Sequence, residues 1–243
     1  MKDGKKRSTI SRELRLLKAV FSGAEQQEPP LISRNAVARF KLPRISDKEI
    51  PVPPTADEIK SILRVAEPHL VRAIMIFWFT GVRPGKELCA IRWSDVDLAG
   101  NTMRVTSARK GGPVTRFVPL SDDLVRRMSR WLQEDLKRKE DVSDLAITHF
   151  RLKPVLSLKR SWNTAKERAG IHRKLRLYDL RHAMISNALR RGADLKAVSE
   201  VVGHSRPDTT LREYQHIVKE QHREVVNVIP ELDDDDGLEG VGT

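Results

Sequence analysis

The sequence is poor in the residues that staple, stack or span. Cys89 is its one cysteine, which excludes an internal disulfide framework and any cysteine-based zinc cluster. A reducing compartment, the cytoplasm by default, is expected. Aromatic residues make up 5% of the 243 positions, so recognition of single strands or RNA by base stacking is less favoured than contact with the backbone of a duplex. No apolar run approaches the ~20 residues of a membrane-spanning helix. The stretch Ile74–Phe79 is far shorter, and Met1–Arg7 is polar, without the apolar centre of a signal peptide. No membrane partner is expected. Acidic residues are outnumbered: 33 Asp+Glu stand against 45 Lys+Arg, for a formal charge of +12 and a pI near 10.0. A polyanion is the natural partner, and double-stranded DNA the first candidate. The hydrophobic fraction, 39%, suffices for an ordinary core in one large domain plus a smaller piece.

Between Ser8 and Arg39, apolar residues at Leu14, Leu17, Val20 and Phe21, then at Leu31, Ile32, Ala36 and Val37, predict short helices around Pro29-Pro30. This region, 1–42, is too small to fold alone. Pro43, Pro51, Pro53 and Pro54 among charged residues mark 43–54 as an extended linker. The main domain is expected over 55–229. Thr55 followed by Glu58 has the capping-box spacing and opens a helix with Ile59, Ile62, Leu63 and Ala66. Pro68 starts a second helix, apolar from Leu70 through Trp78, which delivers Gly81-Val82-Arg83 at its C-terminal end. Residues 103–108 and 115–120 read as strands flanking a turn at Arg109-Lys110-Gly111-Gly112-Pro113. Leu124, Met128, Leu132 and Leu136 define one face of a helix, and further helices are predicted over 156–169, 180–191 and 195–202 and around Tyr214. The fold class is mainly α with a small β-sheet (α+β). There is no internal repeat, and the acidic run Asp233–Asp236 after Pro230 places 230–243 in a solvated, disordered tail.

Three segments carry the chemistry: Thr80-Gly81-Val82-Arg83, Tyr178-Asp179-Leu180-Arg181-His182, and Gly203-His204-Ser205 running to Tyr214. Each guanidinium can clamp phosphate oxygens with parallel hydrogen bonds and oppose the charge that develops as phosphorus becomes pentavalent. With an imidazole and a phenolic nucleophile, they form a kit for attacking a phosphodiester without metal or cofactor.

The order and spacing of these segments resemble the tyrosine recombinase, or phage integrase, family of site-specific DNA recombinases. Thr80-Gly81-Val82-Arg83-Pro84-Gly85 and Leu88-Cys89-Ala90-Ile91-Arg92-Trp93-Ser94-Asp95-Val96-Asp97 look like its first arginine box. The hairpin with Lys110 and Arg116-Phe117-Val118-Pro119-Leu120 is similar to its catalytic hairpin, Tyr178–His182 to its second box, and Gly203-His204-Ser205-Arg206-Pro207-Asp208-Thr209-Thr210 with Tyr214 to its last. Four boxes in order make coincidence improbable. Two departures stand out. Tyr178 occupies a position that is usually histidine, replacing an imidazole with a phenol of pKa near ~10. The glutamate usual three residues after the first arginine is replaced by Lys86, with Glu87 one position later. Residues Ile10–Leu14 and Asn35–Arg44 resemble the second half of the family's helical core-binding domain.

The resemblance implies a catalytic set of Tyr214, Arg83, Arg181, His204, Lys110 and Tyr178. Tyr214 would form a 3′-phosphotyrosyl link, Arg83, Arg181 and His204 would hold the nonbridging oxygens, and Lys110 would protonate the departing 5′-oxygen. The implied partners are duplex attachment sites and a homotetramer assembled on DNA from free monomers, with accessory DNA-bending proteins as further candidates. The apolar tail at Ile217-Val218 and 225–229 would dock on a neighbouring protomer. Integration or excision of a mobile element, including a viral genome, is the implied role. Each residue also has a plainer reading. Arg83 can cap a helix, Arg181 can pair with Asp179, Lys110 can join Arg109 and Arg116 in nonspecific DNA contact, and His204 can cap a helix C-terminus. Tyr214 can pack on Leu211 and Ile217, while His182 reads as structural and Trp93, Trp131 and Trp162 as core residues. Two other functions fit the same residues: DNA relaxation of the type IB topoisomerase kind, and a noncatalytic DNA-binding remnant of an integrase.

Overall fold

The computed structural model describes residues 6–42, 52–109, 111–137, 144–148, 153–204, 210–211 and 214. The chain divides into two compact units, Met1–Pro51 and Val52–Thr243.

Among the described residues of the first unit one helix, α1 (Arg7–Glu25), is followed by turns rather than by further helices. Polar contacts organise it. Asn35, 5% exposed, donates from Nδ2 to Lys18 O (3.3 Å) and Ser22 Oγ (2.9 Å), while Lys18 Nζ donates to Ala38 O (2.8 Å). Of the apolar side chains that suggested short helices, Leu17, Val20 and Leu31 are exposed.

The second unit opens with α2 (Ala56–Val65), closed at its start by the expected capping box. Glu58 N–H donates to Thr55 Oγ1 (3.2 Å) and Thr55 N–H to Glu58 Oε2 (2.8 Å). Glu58 also accepts two 2.7 Å bonds from Arg173, whose guanidinium donates to Val52 O and Pro53 O as well. One arginine thus ties residues 52–53 and the start of α2 to a segment more than a hundred positions later.

Pro68, with its φ preset for a first helical turn, starts α3 (Pro68–Thr80). Leu70, Ala73, Ile74, Ile76 and Phe77 are all buried, so this helix runs through the core rather than over it. Gly81 ends it in the left-handed region (φ 61°), and an added Cβ there would lie 3.0 Å from Val202 Cγ1.

A three-stranded antiparallel sheet follows in the order β1 (Val96–Asp97), β2 (Thr102–Arg109), β3 (Gly112–Pro119). The strands are longer than their sequence pattern, because Pro113 pairs with Ala108 instead of joining the turn. Proline is tolerated there because β3 is an edge strand. Met103, Val105 and Val118 bury one face of the sheet.

Helix α4 (Asp122–Lys137) buries Leu124 and Met128, but Leu136 is 62% exposed. The helix instead turns Asp135 inward, 4% exposed, to take a bidentate bond from Arg72 (2.7 and 2.9 Å) and one from Trp93 Nε1 (3.2 Å). Trp131 stacks on that guanidinium at 5.6 Å.

Helix α5 (Lys159–Arg168) starts later than its apolar pattern, since Leu156 is exposed. Helices α6 (Asp179–Arg190) and α7 (Leu195–Val202) lie where the pattern put them, and Asp194 caps α7 by accepting from Ala197 N–H at 2.8 Å. The result is a mainly helical unit with a small sheet. Lys110, the tail residues 217–229 and Asp233–Asp236 lie outside the described residues, as does 43–51 of the proline-rich stretch.

Candidate active site

Two helix ends meet: the C-terminus of α3 at Gly81 and that of α7 at Gly203, both in left-handed turns. Arg83, three residues beyond the end of α3, reaches across with Nη2 to Gly203 O (2.6 Å). Arg181, on the first turn of α6, lies beneath them at 1% exposure, donating from Nη1 to Gly81 O and from Nη2 to Val202 O (2.6 Å). The two arginines, 98 positions apart, therefore both bond the turn at the end of α7, and Arg181 joins it to the turn at Gly81. The plainer pairing of Arg181 with Asp179 does not form. That carboxylate takes the Arg176 guanidinium (2.7 Å) and the Arg176 N–H (2.7 Å).

The carboxylate displaced by one position is nevertheless present. Glu87, 4% exposed, accepts from Arg83 Nη1 (2.6 Å), Arg83 N–H (2.9 Å), Ser107 Oγ (2.6 Å) and Arg116 Nη2 (2.9 Å). The extra residue in the 83–87 turn is absorbed without losing the contact. Burial alone would raise the Glu87 pKa, but the bonds from Arg116, Ser107 and Arg83 outweigh it and hold the group at about 2. Arg116 is fixed in turn on Ser107 Oγ (2.9 Å) and Val201 O (3.1 Å). Sequence reasoning treated Arg116 only as a basic neighbour of the hairpin. The available signal was its place in the strand, two residues before buried Val118 and opposite Val105, an inward-facing position occupied by a cation.

Three guanidiniums around one carboxylate leave a surplus of two positive charges in this region. Arg181 feels it. Burial, partly offset by Tyr178 and reinforced by Arg83 and Arg116, lowers its pKa to about 10, so it remains a cation at neutral pH. Its Nε–H makes no hydrogen bond with any described residue.

His204 follows Gly203, its backbone N–H capping α7 on Ser199 O (3.0 Å) and its Nδ1 bonded to Thr210 Oγ1 (2.6 Å). Burial first, then the charges of Arg181, Arg83, His182 and Arg116, lower its pKa to about 4. The ring is neutral at neutral pH. When the buried Thr210 hydroxyl donates, Nε2 carries the hydrogen and the ring is itself a donor. The plainer capping role and a polar role coexist in this residue, split between backbone and side chain.

Tyr214 is 3% exposed and packs on Ile185, Leu189, Val198 and Val202 of α6 and α7. Its expected neighbour Leu211 is instead 41% exposed, and Ile217 lies outside the described residues. The phenol oxygen lies 2.6 Å from His182 Nδ1. His182, read from sequence as structural, thus touches the candidate nucleophile, a contact across 32 positions with no local sequence signal. Tyr178, 39% exposed, meets the His182 ring edge-on at 5.6 Å. The geometry joins Arg83, Arg181, His204, Tyr178 and Tyr214 in one connected region and adds Glu87, Ser107, Arg116, Thr210 and His182. Among the described residues no group of three or more His, Cys, Asp or Glu is placed to hold a metal ion, and no helix is long and apolar enough to cross a membrane.

This arrangement on a mainly helical scaffold is that of a tyrosine recombinase catalytic domain. Solved structures agree in fold. XerA recombinase aligns with a TM-score of 0.61 at 22% identity over 96% of this chain and 86% of that one. The Tn1549 transposon integrase in complex with a circular intermediate DNA aligns at 0.68 and 18% over 91% and 80%. A lambda integrase dimer bound to a core site aligns at 0.64 and 22% over 83% and 74%. Among curated proteins, a tyrosine recombinase of Thermosipho africanus is 29% identical over 224 residues, 90% of this chain and 75% of its own length. Tyrosine recombinase XerD of Staphylococcus aureus is 28% identical over 192 residues, 74% of this chain and 63% of its own length. The phage integrase family model matches residues 55–221, and the chain belongs to that family of DNA-breaking and rejoining tyrosine recombinases.

Proposed function

We propose that this chain is a site-specific recombinase that cleaves and rejoins duplex DNA, with Tyr214 as nucleophile. The observation that carries the reading is the double clamp of Arg83 and Arg181 on the turns at residues 81 and 203, beside neutral His204 and a surplus of positive charge. A phosphodiester gains negative charge as it becomes pentavalent, and fixed cations opposing that gain lower the barrier. Arg83, 35% exposed at its side chain, would meet the nonbridging oxygens first, and Arg181, buried beneath it at 1% exposure, adds its positive charge to the site. Tyr214 Oη attacks phosphorus, the P–O5′ bond breaks, and a 3′-phosphotyrosyl link conserves the phosphodiester for religation. Lys110 protonates the leaving oxygen. Tyr178, at the mouth of the site, acts as an auxiliary hydrogen-bonding acid. Because Tyr214 is 3% exposed, it must shift toward the duplex on binding.

In this reading residues 55–229 are the catalytic domain, 43–54 a linker, 1–42 a partial core-binding region and 230–243 a tail. The protein acts in the cytoplasm as a tetramer on attachment sites of a mobile element. The test is a nicked suicide duplex incubated with wild type and Tyr214→Phe and resolved on a denaturing gel. A covalent adduct with wild type alone supports the reading. Adding a partner duplex separates strand exchange from relaxation of supercoils, and salt-sensitive binding without any adduct identifies a DNA-binding remnant.

A further inference from the structure

We infer that His182 is the base that takes the phenolic proton of Tyr214 as the tyrosine attacks. This rests on Tyr214 being the nucleophile. The phenol oxygen and His182 Nδ1 are 2.6 Å apart, within the range at which a proton passes directly between heteroatoms. Tyr178, which immediately precedes α6, touches the same imidazole but is a phenol, which does not accept a proton from another phenol near neutral pH. His204 turns its Nδ1 to Thr210 instead. Among the described residues His182 is therefore the proton acceptor seated on the nucleophile.

The step balances. With hydrogen on Nε2, the lone pair of Nδ1 accepts the hydrogen of Tyr214 Oη while that oxygen bonds to phosphorus. The P–O5′ bond breaks, and the leaving oxygen takes its proton from Lys110. In religation the attacking 5′-hydroxyl gives its proton back to Lys110 as the P–O5′ bond forms, and Nδ1 returns its proton to Oη as the phosphotyrosyl bond opens. The imidazole contacts both Tyr178, at the start of its own helix, and Tyr214, and lies within electrostatic reach of His204. Because His204 is held down to about 4, it stays neutral across the mildly acidic range in which an imidazole base would be lost. An acidic limb that disappears on His182 substitution is therefore not the titration of His204.

The test is single-turnover cleavage of the suicide duplex by the full chain, across mildly acidic to neutral pH. Wild type, His182→Ala and His182→Asn are compared, with Tyr214→Phe as the blank. The amide oxygen of Asn can accept the phenol's hydrogen bond but cannot keep its proton, so it separates positioning from base catalysis. We expect both His182 variants to slow by roughly 10²-fold or more, to lose the acidic limb, and, for Ala, to recover with added imidazole. Wild-type rates in His182→Asn would overturn base catalysis, and a faster His182→Ala would make the contact a restraint on Tyr214. Nitrogen NMR of the wild type gives a check independent of activity: Nδ1 should be unprotonated, and a hydrogen there would reverse the bond and refute the inference. No adduct from wild type would overturn Tyr214 as nucleophile and this step with it, whereas an adduct unaffected by His182 substitution would remove only the base.

Discussion

Replacing Glu87 with glutamine tests the electrostatic account of the site quantitatively. The wild-type carboxylate accepts from four donors on Arg83, Ser107 and Arg116, and its pKa falls from 4.5 to about 2 despite burial. At about 1.36 kcal/mol per pKa unit, the ionised group contributes ~3 kcal/mol to folding at neutral pH. The sign is that of a depressed acid. The contribution is fully present above the unfolded value of 4.5 and is lost as pH falls toward 2. Glutamine keeps the shape but removes the charge and turns an amide N–H₂ toward guanidinium donors. All four tryptophans, Trp78, Trp93, Trp131 and Trp162, lie in the second unit, so their emission during urea unfolding reports that unit alone. Glu87→Gln should be less stable by about 3 kcal/mol at pH 7, with the gap closing steadily in acid. Parallel stability curves for the two proteins across that range would refute the reasoning. Cleavage should fall as well, because Arg83 loses the partner that aims it.

Three further outcomes follow from the geometry. Arg72→Ala strands the buried Asp135 carboxylate and should cost about 3–5 kcal/mol by urea unfolding, whereas Arg72→Met with Asp135→Leu should recover most of it. Gly203→Ala puts a Cβ 2.8 Å from the Arg116 guanidinium at a φ of 71°. It should lower the midpoint of thermal unfolding by a cost of about 1–2 kcal/mol and slow cleavage more than it weakens DNA binding. Affinity for duplex DNA should fall steeply with salt, by roughly 0.9 in log K per log salt for each phosphate contacted. A flat titration would count against a backbone-dominated interface.

What could be read from the chain follows from how local each signal is. The capping box at Thr55, the helix α7 and the core helix α3 announce themselves within a few residues, and all three lie where the pattern put them. The arginines, His204 and Tyr214 were legible as motifs of the family. Glu87 was doubtful from spacing because only the folded turn shows that one more residue still delivers the carboxylate to Arg83. Arg116 was undervalued because its direction depends on strand register, and His182 because its partner is distant in sequence. Leu136 misled because α4 turns Asp135 inward to meet Arg72, a choice made by tertiary pairing rather than by periodicity. The turns after α1 misled for a similar reason: Asn35, not the apolar residues, anchors them.

The crossed bonds at residues 81 and 203 make the site a sensor of its own completeness. Arg83 finds its acceptor 120 positions later, and Arg181 joins carbonyls 121 positions apart. A nascent or partly unfolded chain in which α7 has not docked lacks the carbonyls of Val202 and Gly203, so Arg83 keeps only Glu87 and Arg181 only Gly81 O. In a chain of this DNA-breaking and rejoining family, docking of α7 is thereby a condition for the full positioning of both arginines.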